Sequence, residues 1–135
     1  MRRLFLTAVL MLVSGPAFAD VIGTWKTPRG SKVEIYRCGP AVCGKALAPP
    51  PGVTPPTTTD SKNKDVTLRN RSLMGLTIMT GFAGGPSVWS GGKIYNPDDG
   101  NTYSGTLTLV GDQTLKLKGC VVAPLCQTQT WTRAK

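Results

Sequence analysis

From Lys93 to Gly119 the chain reads KIYNPDDGNTYSGTLTLVGDQTLKLKG, an alternation with a period of two residues. Tyr103, Gly105, Leu107 and Leu109 fall on one side, while Thr102, Ser104, Thr106 and Thr108 fall on the other. Leu115 and Leu117 repeat the pattern against Thr114, Lys116 and Lys118. Successive side chains of a strand point to opposite faces, so one face of this hairpin belongs to a core and the other to water. The turns are equally legible. In Asn96-Pro97-Asp98-Asp99-Gly100 the proline fixes one φ, the aspartates accept bonds from nearby amides and the glycine takes the left-handed position. Gly111-Asp112 makes the next reversal.

The same grammar runs through the rest of the chain. Thr, Val, Gly and Pro abound, alternating runs are short, and turn signals recur about every eight to twelve residues, as in all-β sandwiches and barrels. Strands are predicted at 22–26, 32–37, 43–48, 73–82, 87–90, 92–95, 102–110, 114–121 and 126–133. Residues 49–72 interrupt them with paired and tripled prolines, which forbid a central strand and favour extended geometry; 60–71 leave room for one helical turn at most. A loop of this length in a small domain is either functional, here as a flap over one barrel end, or a mobile surface excursion.

Residues 1–19 have the form of a secretory leader: Arg2 and Arg3, an apolar run, and the small-x-small triplet Ala17-Phe18-Ala19 before Asp20. A membrane span would need about 20 apolar residues, and Ser14-Gly15-Pro16 breaks this run early. The expected mature protein, 20–135, is one domain, exported to the periplasm or secreted, with no transmembrane anchor. Its formal charge is +7, against +9 for the whole chain, because Arg2 and Arg3 leave with the leader. The basic residues are scattered along the sequence and an exported protein seldom meets nucleic acid, so the charge either points to an anionic small molecule or envelope component as partner or serves only to keep the protein soluble.

All four cysteines lie in the exported part, as CGPAVC and CVVAPLC. An even count in an oxidising compartment argues for disulfides. Zinc is disfavoured because the chain has no histidine and the second pair is spaced too widely. Of the three pairings, Cys38–Cys43 and Cys120–Cys126 place each pair across one short hairpin.

The first and last strands complete the fold. Gly23-Thr24-Trp25 stands near the mature N-terminus, and the chain closes with CQTQTWTR, in which Gln127, Gln129, Trp131 and Arg133 share a face. If the last strand returns to the first, both sheet edges vanish and Trp25 plugs the barrel end with the Arg133 guanidinium stacked on it. This start and finish are similar to those of calycins, the lipocalins and their relatives, which implies an interior that can admit a small ligand. A fuller resemblance covers most of the mature chain. GTWKT, VEIYRCGPAVCGK, LRNRSLMGLTIMTGF, GGKIYNPDDGNTYSGTLTL and LKLKGCVVAPLCQTQTWTR resemble the bacterial secreted family called domain of unknown function 2147. That resemblance implies a small exported β protein and brings no catalytic residues. The predicted fold is an all-β, up-and-down, calycin-like antiparallel barrel with one long Pro-rich loop.

Catalysis is poorly supplied. There is one Glu, Glu34, and six Asp, of which Asp98, Asp99 and Asp112 act as turn formers, and no nucleophile is matched with a base. Asp98, Asp99 and Asn101 do not have the spacing of a calcium loop. No enzyme, cofactor or metal site is expected. Binding remains, in two forms. In one, the barrel holds a small amphipathic or anionic molecule, with Trp25, Tyr103, Leu107, Leu109 and Leu117 as apolar wall and Gln127, Gln129 and Arg133 as polar contacts. In the other, the barrel is filled by its own side chains, as small barrels commonly are, and an outer surface or the Pro-rich loop meets an envelope polymer or protein. The leader and the cysteine pairs predict one measurement together: intact mass of protein recovered after export begins at Asp20 and falls four hydrogens short of the reduced chain. Free thiols in native protein, or a peptide joining Cys38 to Cys120 or Cys126, would refute the pairing.

Overall fold

A computed structural model describes residues 20–53, 58–122 and 125–134. The leader and the bond expected to be cut after Ala19 lie outside the described residues. Within them, β1 (Gly23–Lys26), β2 (Lys32–Cys38), β3 (Ala41–Ala48), β4 (Thr77–Gly84), β5 (Val88–Asn96), β6 (Asn101–Val110), β7 (Thr114–Val122) and β8 (Leu125–Arg133) form an antiparallel meander. Each strand pairs with the next, and β8 pairs with β1, so the sheet closes into a barrel. Closure joins the C-terminal end of β8 to β1 through the pairs Trp25–Arg133 and Lys26–Thr132.

Eight described strands replace the nine expected. The runs 87–90 and 92–95 are one strand, β5, whose register with β6 shifts between Trp89 and Gly92, with Gly91 at φ +73°. A short apolar run broken by Gly-Gly reads as two strands, whereas the fold uses the glycines as a bulge that bends one strand. The strand expected from residue 73 begins at Thr77 instead. Leu73 to Leu76 form a turn, with the Leu76 amide donating to the Leu73 carbonyl at 3.1 Å and Gly75 in the left-handed region. The loop between β3 and β4 is therefore longer than predicted, and its one helical turn is a 3-10 segment at Val66–Leu68.

Both hairpin disulfides are present. Cys120 and Cys126 are direct cross-strand partners with Cα atoms 4.1 Å apart. Cys38 lies opposite Ala41, because Gly39-Pro40 makes a two-residue turn, and its bridge runs diagonally to Cys43 over 5.8 Å.

In an up-and-down barrel alternate hairpins crowd alternate ends. The β2–β3, β4–β5 and β6–β7 turns share one end with residues 20–22, and this end is packed shut. Trp25 is fully buried there, donating from Nε1 to the Val21 carbonyl at 2.8 Å. Arg133 lies over the indole with its guanidinium carbon 4.3 Å from the ring centroid. Its nitrogens donate to the carbonyls of Asp112 at 2.7 Å, Ile22 at 3.1 Å and Asp20 at 2.5 Å. Gly23 is needed for this: it sits at φ +135°, and a Cβ there would come within 2.9 Å of the guanidinium. Above the plug, Phe82, Met79, Leu107 and Leu115 fill the lower barrel. Phe82 rests against Gly92 and Gly105, and Met79 against Gly44, where side chains would collide with them.

The plug predicts a coupling. Trp25→Ala is expected to cost roughly 3–5 kcal/mol as a large core truncation, and Arg133→Ala less. In a denaturation double-mutant cycle the pair should couple by about 0.5–2 kcal/mol, the range of a cation stacked on an indole. Strictly additive losses would mean that the guanidinium does not hold the indole in place.

Candidate functional site

The opposite end is open. A cavity of about 550 Å³ enters between the β1–β2 and β5–β6 connections, described residues of the β3–β4 loop and the paired ends of β7 and β8, a volume typical of sites for small organic molecules, roughly 300–1,000 Å³. Its deeper wall is apolar: Val33, Ile78, Ile94, Leu117 and Trp131. The mouth is mixed: Tyr103, Gln127 and Gln129 on the sheet and Arg29, Lys32, Asp98 and Asp99 around the rim are polar, while Pro28, Pro97, Leu73, Met74 and the exposed Val121 and Leu125 are apolar. Gly119 lies among these side chains and presents none of its own.

The eight residues expected at a ligand site divide in two. Tyr103, Leu117, Gln127 and Gln129 line the cavity. Trp25 and Arg133 form the plug, and Leu107 and Leu109 are buried outside the cavity lining. The period-two pattern places all eight residues inside the barrel or at its base, but depth along the axis separates the two sets. Trp131, on the same strand face as Gln127 and Gln129, reaches the cavity wall and donates from its indole N–H to Gln129 Oε1 at 3.1 Å. That bond turns the Gln129 oxygen toward the indole.

The mouth is electrically balanced. Arg29 pairs with Asp98 at 2.7 Å. Tyr103 donates its hydroxyl to Asp99, and that carboxylate also accepts from the Asn101 amide at 2.8 Å. Burial works against ionisation of Asp99, yet the bonds from Tyr103 and Asn101 outweigh it and hold the carboxyl below its ordinary pKa. The same bond raises the Tyr103 phenol. With the Asn96 side chain accepting from the Asp98 amide at 3.0 Å, the NPDDGN turn has the side-chain-to-backbone bonding its sequence implies.

One cluster was not anticipated. Asp60, within the long loop, is fully buried. It accepts from the Tyr95 hydroxyl on β5, from Asn63 Nδ2 at 2.8 Å and from Arg71 Nε at 2.9 Å. Burial disfavours the carboxylate, but these three bonds and the Arg71 charge overcome that and leave the pKa lowered. Tyr95 is pushed up to about 12 by burial and by the carboxylate it serves. The loop also pairs with itself: the Asp60 amide donates to Arg71 O at 3.0 Å and the Leu73 amide to Thr58 O at 3.0 Å, around the Thr59–Ser72 bridge. Gly100 fits beneath it, since a Cβ at its φ of +74° would meet the Lys62 carbonyl at 2.0 Å. Described loop residues are thus fastened to β5 and the β5–β6 turn, and Thr58, Leu73 and Met74 line the cavity. The sequence signal was an Asp with an Arg eleven positions on, both within the long loop.

Comparison with known proteins places the chain. A family model described as "Uncharacterized protein conserved in bacteria (DUF2147)" matches residues 23–133. The chain belongs to this family. A search of curated proteins finds no match. Among solved structures, the chain is similar to a Helicobacter pylori protein that belongs to the lipocalin family, with a TM-score of 0.79 and 23% identity over 87% of this chain and 84% of that one. That likeness shows the fold, a lipocalin-like barrel.

The Asp60 cluster yields a signed pH dependence. A folded carboxyl held below the ordinary Asp value of about 3.9 contributes its full stability above that value and loses it as pH falls through the depressed pKa. Asp60→Asn is expected to cost roughly 1–3 kcal/mol. In thermal melts the gap between wild type and variant should be constant above about pH 5 and shrink below about pH 4. A gap that persists undiminished into stronger acid would show that the charge of Asp60 does not fasten the loop.

Proposed function

We propose that this protein is an exported, non-enzymatic binding protein that takes a small amphipathic or anionic molecule into the open half of its barrel. The observation that carries the reading is the cavity itself, apolar at depth and mixed at the mouth, where a few polar side chains stand among apolar ones. A purely filled barrel would offer no such space. An apolar body would lie against Ile94, Leu117 and Trp131, and a polar head would meet the Gln127 and Gln129 amides and the Tyr103 oxygen. Because the two rim cations are matched by two rim carboxylates, the balance supports an amphipathic head over a strongly anionic one.

Support for binding over catalysis comes from the carboxylates at the mouth: Asp98 is engaged with Arg29 and Asp99 with Tyr103, roles that fix a turn. The two disulfides and the leader-like 1–19 support export to an oxidising compartment, periplasmic or outside the cell.

Native mass spectrometry of protein isolated from its own periplasm is expected to show a reproducible small-molecule adduct. In vitro, 8-anilinonaphthalene-1-sulfonate should fluoresce on binding, and Gly119→Leu, which places a side chain in the cavity, should weaken it by about ten-fold or more without unfolding the barrel. Unchanged probe affinity in a folded Gly119→Leu protein would place binding elsewhere and sink the cavity reading.

A further inference from the structure

The barrel sorts its charges by strand. β1 and β5–β8 contain no Asp or Glu; every acidic residue except Glu34 on β2 lies in a turn, a loop or the N-terminal segment. On these same strands Lys26, Lys93, Lys116 and Lys118 are exposed. Their neighbours Trp25, Ile94, Leu115 and Leu117 are buried, so the alternation turns all four lysines outward. The four ion pairs among the described residues use none of them. Lys93, Lys116 and Lys118, scattered in sequence, are thus collected on one face without an acidic partner, with Lys26 beyond β8 on β1.

Hydroxyls surround them in register. Lys118 lies between Thr106 and Thr128, and Lys116 between Thr108 and Thr130, in two parallel rows across β6, β7 and β8. Neighbouring strands are about 4.8 Å apart and the rows about 6.7 Å apart along the strand. Beside the rows, a shallow outer groove runs between Lys93 and Lys118, past Ser104 and Thr106, where Gly91 contributes no side chain to fill it. Lys93 Nζ donates to Ser104 Oγ at 3.0 Å, which holds its ammonium at the groove.

We propose that this outer face of β5–β8 docks a linear anionic polysaccharide. The partner must be anionic because three lysines face it with no acid on any of these strands. It must be strongly polar, because across β6–β8 the two rows hold only threonine and lysine, and the exposed apolar side chains beside them, Val88 next to Thr108 and Val110, are small and give no aromatic anchor of the kind that dominates protein interfaces. The rows also have no aromatic platform on which bases could stack, which separates the face from single-strand nucleic-acid sites. A sugar polymer supplies what the face lacks: repeated hydroxyls to pair with the threonines, and acid groups spaced along a chain to meet the ammoniums. The proposal is independent of the cavity, which opens at the barrel end and not on this face.

The test is titration calorimetry of the purified protein with polygalacturonate at low salt. Binding is expected, and it should weaken steeply as added salt shortens the Debye length to about 10 Å or less. The triple variant Lys93→Gln/Lys116→Gln/Lys118→Gln should bind about ten-fold more weakly or worse, whereas Lys45→Gln/Lys62→Gln/Lys64→Gln, with the same change of net charge, should stay within about two-fold of wild type. Both variants should melt cooperatively like the wild type, since five of the six lysines are exposed and the half-buried Lys45 makes only a partly solvated ion pair with Glu34. Absence of polygalacturonate binding, or equal losses in the two variants, would overturn the proposal. Binding of oligo-dT or of phosphatidylglycerol vesicles as tight as that of polygalacturonate would overturn it too, assigning the face to nucleic acid or to lipid.

Discussion

The barrel depends on one stacked pair. Arg133 is the last residue of β8 and Trp25 stands opposite it on β1, so the contact that closes the plug also closes the sheet. The guanidinium bonds three backbone carbonyls, from residues 20, 22 and 112, and ties the N-terminal segment, the β6–β7 turn and the terminal strand together. A planar cation with donors on several edges suits this place: it satisfies carbonyls that the barrel end would otherwise bury, while its face covers the indole. Gly23 makes room for it, which explains why a glycine begins the first strand.

With one end sealed, the two halves of the barrel take different roles. Phe82 and Met79 fill the lower half because glycines opposite them leave space, and buried Leu107 and Leu115 complete the packing. Higher up, Gly119 again offers no side chain, but here the space stays open and becomes the cavity. The same residue type thus serves dense packing at one level and a void at another. What separates them is whether a large neighbour leans into the gap.

The long loop is set by a buried charge. Asp60 is held by Tyr95, Asn63 and Arg71, so its carboxylate has the bonds and the counter-charge that make burial tolerable. Fastened at that point, the loop contributes Thr58, Leu73 and Met74 to the cavity wall and shapes its entrance. The outer face of β5–β8 is built on the opposite rule, with cations left unpaired and in rows.

Alternation in KIYNPDDGNTYSGTLTLVGDQTLKLKG was enough to define the strands, their inward faces and the turn between them, because strand periodicity and turn chemistry are local. Hairpin disulfides were legible for the same reason: their partners are five and six residues apart. Pairing of Trp25 with Arg133 could be argued from the sequence only through the additional premise that the sheet closes. Depth was not legible. Tyr103 and Leu107 share a face of one strand, yet one lines the cavity and the other is buried outside it, because what fills the barrel at each level comes from distant strands. Nor could Asp60 be matched with Tyr95, 35 residues away, or Lys93 be placed beside Lys118. The sequence by itself determined an all-β chain, its inward faces and its cross-linked hairpins; tertiary structure decided which inward residues meet space, which loop guards it and which cations stand together, since these depend on strands brought into register by closure.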